Sequence, residues 1–248
     1  LGALATIAEI ASHPAVVETF AALSQAASVV ASPQLRNQGT IGGNLCQRPR
    51  CWYFRGDYDC TRKGGDTCYA LGGENQYHCI FGGGACVIVH PSDTAPALIA
   101  LDAKVRIVGP KGARVIPLEQ FYVLPEKDAT RETVLEPGDM VLGVIVPAPP
   151  GGQKSGYRKV RARGSWDFAM AGLAHAVTMK AGRVASARLV LSGVAPTPWR
   201  LAAVEKLLVG QKLESALIAK AAAAAVAGAA PLEHNGYKVS LVRGLIEE

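Results

Sequence analysis

The sequence has no run of 18 apolar residues, so no membrane-crossing helix is expected from it. The best candidate, Ala219 to Ala230, is alanine-rich and too short, and reads as a helix packed on a core. There is no initiating Met, no basic leader and no cleavage site, so no signal peptide is read. The compartment stays open between cytoplasm and periplasm, because export can be directed by a signal on a partner chain. A basic stripe with interleaved aromatics is missing too. Net charge is only +6, and the densest group, Arg158, Lys159, Arg161 and Arg163, spans six positions. That argues against nucleic-acid binding. No G-x-G-x-x-G run occurs, so a Rossmann reading is not licensed. Cysteine is absent from the first 45 residues and from everything after Cys86. A secreted disulfide scaffold is short and cysteine-dense throughout, so that class is excluded. No Ser/His/Asp or Cys/His arrangement marks a nucleophile, and His90 and His175 are isolated.

What is present is a chain of 248 residues, 49% hydrophobic and 19% charged, enough to bury one large core or two ordinary ones. Residues 7–27 carry apolar positions at helical spacing, broken at His13-Pro14 because the residue before proline avoids the helical region. Residues 95–101 read as a helix opened by Pro91-Ser92-Asp93, with Asp93 a candidate N-cap. Residues 104–108 and 113–116 alternate as a hairpin around Gly109-Pro110-Lys111-Gly112, and 141–146 form a further strand. Pro147 to Gly152, with three prolines and two glycines, is the best linker. Beyond it, 157–160, 168–179 and 184–190 read as strands, with a turn at Ala181-Gly182. Residues 199–208, 213–227 and 236–246 read as helices. Strands followed by helices predict an α+β layer, a sheet with helices on one face.

Two segments carry chemistry. Gln38 to Asn44 reads as a turn with adjacent glycines, Gly42 and Gly43. Such a turn can place successive N–H groups around an anion, with Thr40 and Asn44 adding side-chain donors. Taken alone it is more often an ordinary turn. The second segment is the cysteine island, residues 46–86, which holds Cys46, Cys51, Cys60, Cys68, Cys79 and Cys86. A loop of that length with little periodicity inside a compact domain is normally functional. Four thiolates at flexible spacing suit a [4Fe–4S] cluster. A Cys₄ zinc site is the competitor, although its tight cysteine pairs fit less well. In the closest pair here, Cys46 and Cys51, four residues intervene, and the other gaps are longer. Arg50, Arg55, Arg62 and Lys63 could offset the negative charge of such a centre.

The run Arg36-Asn37-Gln38-Gly39-Thr40-Ile41-Gly42-Gly43-Asn44, the island, and His90-Pro91-Ser92-Asp93-Thr94-Ala95-Pro96-Ala97-Leu98 together resemble one family. It is the FAD-binding medium subunit of the xanthine dehydrogenase and aldehyde oxidase group. The island is similar to that of the subset bearing a [4Fe–4S] cluster. Gln47-Arg48-x-Arg50-Cys51-x-Tyr53-Phe54 and Tyr157 to Arg161 resemble most closely the bacterial periplasmic aldehyde oxidoreductases of that subset. The resemblance implies a partial FAD-binding domain of the vanillyl-alcohol-oxidase-like type over 1–146, with the iron–sulfur insertion at 46–86. After the linker at 147–152, it implies a CO-dehydrogenase-flavoprotein-like α+β domain over 153–248. The family's N-terminal loop of Ala-Gly-Gly-Thr-Asn type is not among these residues: either it lies upstream of Leu1 or the chain binds FAD weakly. Arg36, Asn37 and Thr40, Ile41, Gly42, Gly43 and Asn44 are implied to wrap the FAD pyrophosphate and ribityl chain. Asp93 is implied to hydrogen-bond the flavin's polar chain, and Lys159 to lie near the isoalloxazine ring. Cys51, Cys60, Cys68 and Cys86 match the cluster ligands, with Cys46 and Cys79 as non-ligands. Trp166 and Asp167 are given only core or surface roles. The implied partners are a small subunit with [2Fe–2S] clusters and a large subunit with the molybdenum cofactor, where substrate is oxidised. The alternative is a structural iron–sulfur or zinc scaffold subunit with a vestigial flavin site.

Overall fold

The computed structural model describes all residues, 1–248. Its first helices follow the local signals. Thr6 and Glu9 form a reciprocal capping box that opens α1 (Ile7–Ser12). Pro14 then starts α2 (Pro14–Thr19), where a missing N–H costs nothing. α3 (Ala21–Ser28) buries Ala22, Leu23, Ala26 and Ala27. Short helices α4 (Pro33–Gln38) and α5 (Ile41–Leu45) follow, capped by Ser32 and Thr40.

The expected glycine turn at 38–44 is therefore corrected. Thr40 is an N-cap, and Gly42 and Gly43 are helical, with neither in the left-handed region. Gly42 is small for another reason. A Cβ there would meet the Ala3 carbonyl at 3.0 Å, because the chain's first residues lie against α5.

The island contains only α6 (Trp52–Arg55) and a 3₁₀ turn at Thr61–Lys63, so its order comes from tertiary contacts. α7 (Thr94–Ala100) is buried along its whole length. It leads into an antiparallel sheet of order β2-β1-β3, formed by β1 (Lys104–Gly109), β2 (Gly112–Pro117) and β3 (Met140–Ile145). Ile7, Ile10, Leu23, Ile41, Leu45, Leu98, Ile107 and Phe121 sit in its core.

Residues 147–152 carry no helix or strand. The second sheet is also antiparallel, of order β4-β5-β6-β7. Its strands are β4 (Gln153–Val160), β5 (Ala171–Lys180), β6 (Arg183–Ser192) and the short β7 (Trp199–Arg200). Trp199 and Arg200 thus belong to a strand rather than to the helix expected there. α8 (Ala202–Leu208), α9 (Ser215–Ala225) and α10 (Tyr237–Glu247) complete the chain.

Side chains of a strand alternate between faces. Leu173, Leu189 and Leu191 pack with Val204, Ala221 and Val242 of α8–α10. Tyr157, Ala174, Ala176 and Val190 join the core of α3 and α7 instead. The sheet is therefore covered on both faces. Reading it as covered on one face missed this, because the second cover comes from the other half of the chain. No helix is long and apolar enough to cross a membrane.

Candidate functional site

The seam between the island, the 89–93 segment and the edge of the second sheet opens as a cleft of about 290 Å³. Its walls include Arg50, Trp52, His78, His90, Asp167 and Phe168, and Ser92, Asp93, Ser192 and Gly193 also line it. Asp93 and Lys159 meet here. Lys159 Nζ donates to Asp93 Oδ2 at 2.8 Å, with side chains only 2% and 5% exposed. Lys159 Nζ also donates to the Val29 carbonyl at the end of α3, where a cation complements the helix dipole. Tyr157 Oη donates to Asp93 Oδ1 at 2.7 Å and lies 2.8 Å from Ser192 Oγ. Burial pushes the Asp93 carboxyl up, against the opposing pull of Lys159 and Tyr157.

Asp93 does not cap α7. Ser92 does, by accepting from the Ala95 N–H at 3.0 Å. Ser92 Oγ also donates to Asn44 Oδ1, as does Thr94 Oγ1, both at 2.6 Å. Asn44 is thereby tied to the cleft wall with its Nδ2 donors unused.

The remaining residues expected at a cofactor are arranged differently. The N–H of Ile41 donates to Ala5, that of Gly42 to Ala3, and that of Asn44 to the Thr40 carbonyl. The Gly43 N–H is taken by Thr40 Oγ1. The anion nest read from this segment is thus already spent within the chain. Arg36 donates to the Val30 carbonyl, and Asn37 is exposed on α4. Neither lines the cleft. Asp167, given only a core or surface role from sequence, does line it, and Trp166 is exposed with φ +52°.

Next to the cleft lies a narrow cavity. Cys51, Cys60, Cys68 and Cys86 all line it, with Tyr53, Phe54, Arg62 and His78. Cys46 and Cys79 do not. Cys79 packs with Ala70 and Val87 as a small hydrophobe, and burial pushes its thiol up to about 12. Cys46 is pushed up to about 11 for the same reason. Cys68 is drawn down to about 6, chiefly because the Cys86 thiol donates to it.

Of the four basic residues named around the island, only Arg62 reaches a sulfur. Its Nε donates to Cys86 Sγ at 3.4 Å while its Nη1 pairs with Glu132 at 2.9 Å. Arg50 lies over the Phe168 ring, Arg55 holds the Pro49 carbonyl and Lys63 the Gly56 carbonyl. No three His, Cys, Asp or Glu side chains converge tightly enough to hold a single metal ion.

The island is held down from the far end of the chain. Asn235 Nδ2 donates to the carbonyls of His78 and Cys79, and Asn75 Oδ1 accepts from the His234 N–H. Lys238, fully buried on α10, donates to the carbonyls of Tyr77 and Gly193 at 2.9 and 2.7 Å. Nothing in the local pattern around Asn235 and Lys238 signals this.

Comparison with known proteins agrees with this geometry. Residues 1–149 match the family described as the FAD binding domain in molybdopterin dehydrogenase. Residues 155–248 match the CO dehydrogenase flavoprotein C-terminal domain. The aldehyde oxidoreductase FAD-binding subunit of Escherichia coli is 43% identical over 84% of this chain and 65% of that one. The carbon monoxide dehydrogenase medium chain of Hydrogenophaga pseudoflava is 28% identical over 94% of this chain and 65% of its own length. A structure of carbon monoxide dehydrogenase from that organism superposes on all of this chain and 71% of its own, with TM-score 0.75 and 27% identity. The chain thus spans 65% of the length of these two relatives. With both halves matched in order and the fold shared, the chain belongs to the family of FAD-binding domains of molybdopterin dehydrogenases.

Proposed function

We propose that this chain is the electron-transferring flavin subunit of a molybdenum hydroxylase of the aldehyde or xanthine oxidoreductase type. It would work beside a small [2Fe–2S] subunit and a large molybdenum-cofactor subunit. The observation that carries the proposal is the cleft, lined by Asp93 and Ser192, which Lys159 and Tyr157 hold from behind, in a chain whose two halves both match flavoprotein families. The residues present fit a flavin there. Ser92 and Ser192 offer hydroxyls on the wall, Asn44 stands behind Ser92 with its amide donors unpaired, and Phe168 and Trp52 offer apolar faces. When bound, FAD supplies two-electron acceptance and delivery to an external acceptor. The chain's own residues would place it, with the Lys159 charge already paired to Asp93 behind the cleft wall.

Cys51, Cys60, Cys68 and Cys86 are proposed as the ligands of a [4Fe–4S] cluster. Support comes from the donor set: four cysteines lining one narrow cavity, the sulfur of one bonded by a buried guanidinium. The same four thiolates could instead hold one zinc ion. Metal and acid-labile sulfide, assayed on anaerobically purified complex, test this directly. About four of each per chain is expected, whereas zinc without sulfide would discard the cluster.

One observation favours the scaffold alternative. The N–H groups of residues 41–44 are consumed by residues 3–5 and by Thr40, so this part of the flavin site has few free donors. FAD measured per chain separates the two readings. Stoichiometric flavin supports the electron-transfer role, and its absence leaves a scaffold with a vestigial site.

A further inference from the structure

Only two residues line both the cleft and the four-cysteine cavity: Cys51 and His78. His78 Nε2 lies 3.3 Å from Cys51 Sγ, and the ring is buried. A sulfur that ligates iron is a thiolate and can only accept, so this contact fixes the tautomer with the proton on Nε2. Nδ1 is then a lone-pair acceptor, and it has no partner within the chain.

The imidazole is not free to leave. The His78 N–H donates to the Asn75 carbonyl, and the His78 carbonyl accepts from Asn235. On either side, Lys238 holds the Tyr77 carbonyl and Asn235 holds that of Cys79. Four hydrogen bonds, three of them from α10 or the turn before it, thus clamp a three-residue segment. Its only side chain aimed at a proposed ligand sulfur is this histidine.

We infer that His78 is a positioning residue for the proposed cluster: its Nε2–H hydrogen bond to Cys51 raises the cluster's reduction potential, on the one wall that the cluster shares with the flavin cleft. This rests on the cluster reading above. The physical reason is electrostatic. Reduction adds negative charge to the cluster and its sulfurs, and a donor at a ligand sulfur stabilises that charge. Removing the donor makes reduction less favourable. Arg62 at Cys86 acts in the same sense, but it faces the Glu132 side and does not line the cleft.

The test compares the wild-type complex with His78→Leu and His78→Gln. Each is assayed for iron and sulfide, then titrated redox-potentiometrically with the reduced-cluster EPR signal as readout. The expected result is full iron content, a clear negative shift for His78→Leu, and partial recovery for His78→Gln, whose amide can still donate. An unchanged potential in His78→Leu with the cluster intact would overturn the inference and leave the cluster reading standing. Loss of iron from both variants would also overturn it, because His78 would then be a structural support and not a tuning group. A wild-type complex without iron and sulfide would overturn both.

Discussion

The family resemblance implies cofactor roles for Asp93 and Lys159, but nothing in the sequence pairs them with each other. They are 66 positions apart, on the approach to α7 and on β4, and meet only because β4 lies against the helices of the other half. Neutralising one partner of a buried pair leaves an uncompensated charge, at a typical cost of about 3–5 kcal/mol. Asp93→Asn is therefore expected to destabilise the chain by about that amount in urea unfolding. Adding Lys159→Met should recover part of the loss, and a double variant no better than the single would argue against the pairing. Lys238 is a second buried cation, with carbonyl partners and no carboxylate. Burial pulls it from 10.5 down to about 7. The folded state therefore binds fewer protons than the unfolded state between about pH 7 and 10.5, so this group's contribution to stability rises with pH across that window. Below pH 7 the penalty for burying the charge is fully present. Unfolding free energy followed against pH should lose this rise in Lys238→Met.

Among the elements, helix ends and hairpins were the most readable, because their signals are local. The break at Pro14 and the hairpin about Pro110-Lys111 follow from residues a few positions apart. The segment at 38–44 misled for the same reason. Two glycines read as a turn, but a helix forms because Thr40 caps it and the chain's first residues need a surface without a Cβ. α7 depends on Ser92 rather than Asp93. Ser92→Ala is expected to cost about 1 kcal/mol from the lost cap and to free Asn44, seen as a lower melting temperature together with weaker flavin retention. Gly172 on β5 packs its bare Cα against Ser192, Tyr157 and the Arg158 carbonyl. Gly172→Ala should therefore push Ser192 away from Tyr157 and lower flavin content more than Ala substitution at an unstrained exposed glycine such as Gly151. Equal effects at both positions would remove the network from the site.

For the whole molecule, the informative variants are those of cysteine. Cys60→Ser is expected to lose iron and sulfide, whereas Cys46→Ser and Cys79→Ala should keep both. The first lines the four-cysteine cavity, and the other two lie outside it, Cys79 buried and Cys46 half-buried. Iron retained in Cys60→Ser would contradict the ligand set. The island's order also depends on the distant α10 and on Asn235 just before it, so the two halves of the chain are coupled through it. Asn235→Ala should accordingly lower iron content as well as stability. That link could not be read in advance, because hydrogen bonds to main-chain carbonyls leave no mark on the sequence of the segment that accepts them.

The sequence by itself determined most of the element pattern, the concentration of cysteine in one insertion and, through its motifs, the family. These are properties of spacing and composition, which act over a few residues or survive as recognisable runs. Only the tertiary structure decided which cysteines share a cavity, that Asp93 is closed by Lys159 and Tyr157, and that His78 and Asp167 line the cleft. It also decided that the glycine segment spends its N–H groups inside the chain. Each of these depends on burial and on contacts between residues far apart in the chain. There the cost of an unpaired polar group selects the partner, and no local periodicity records the choice.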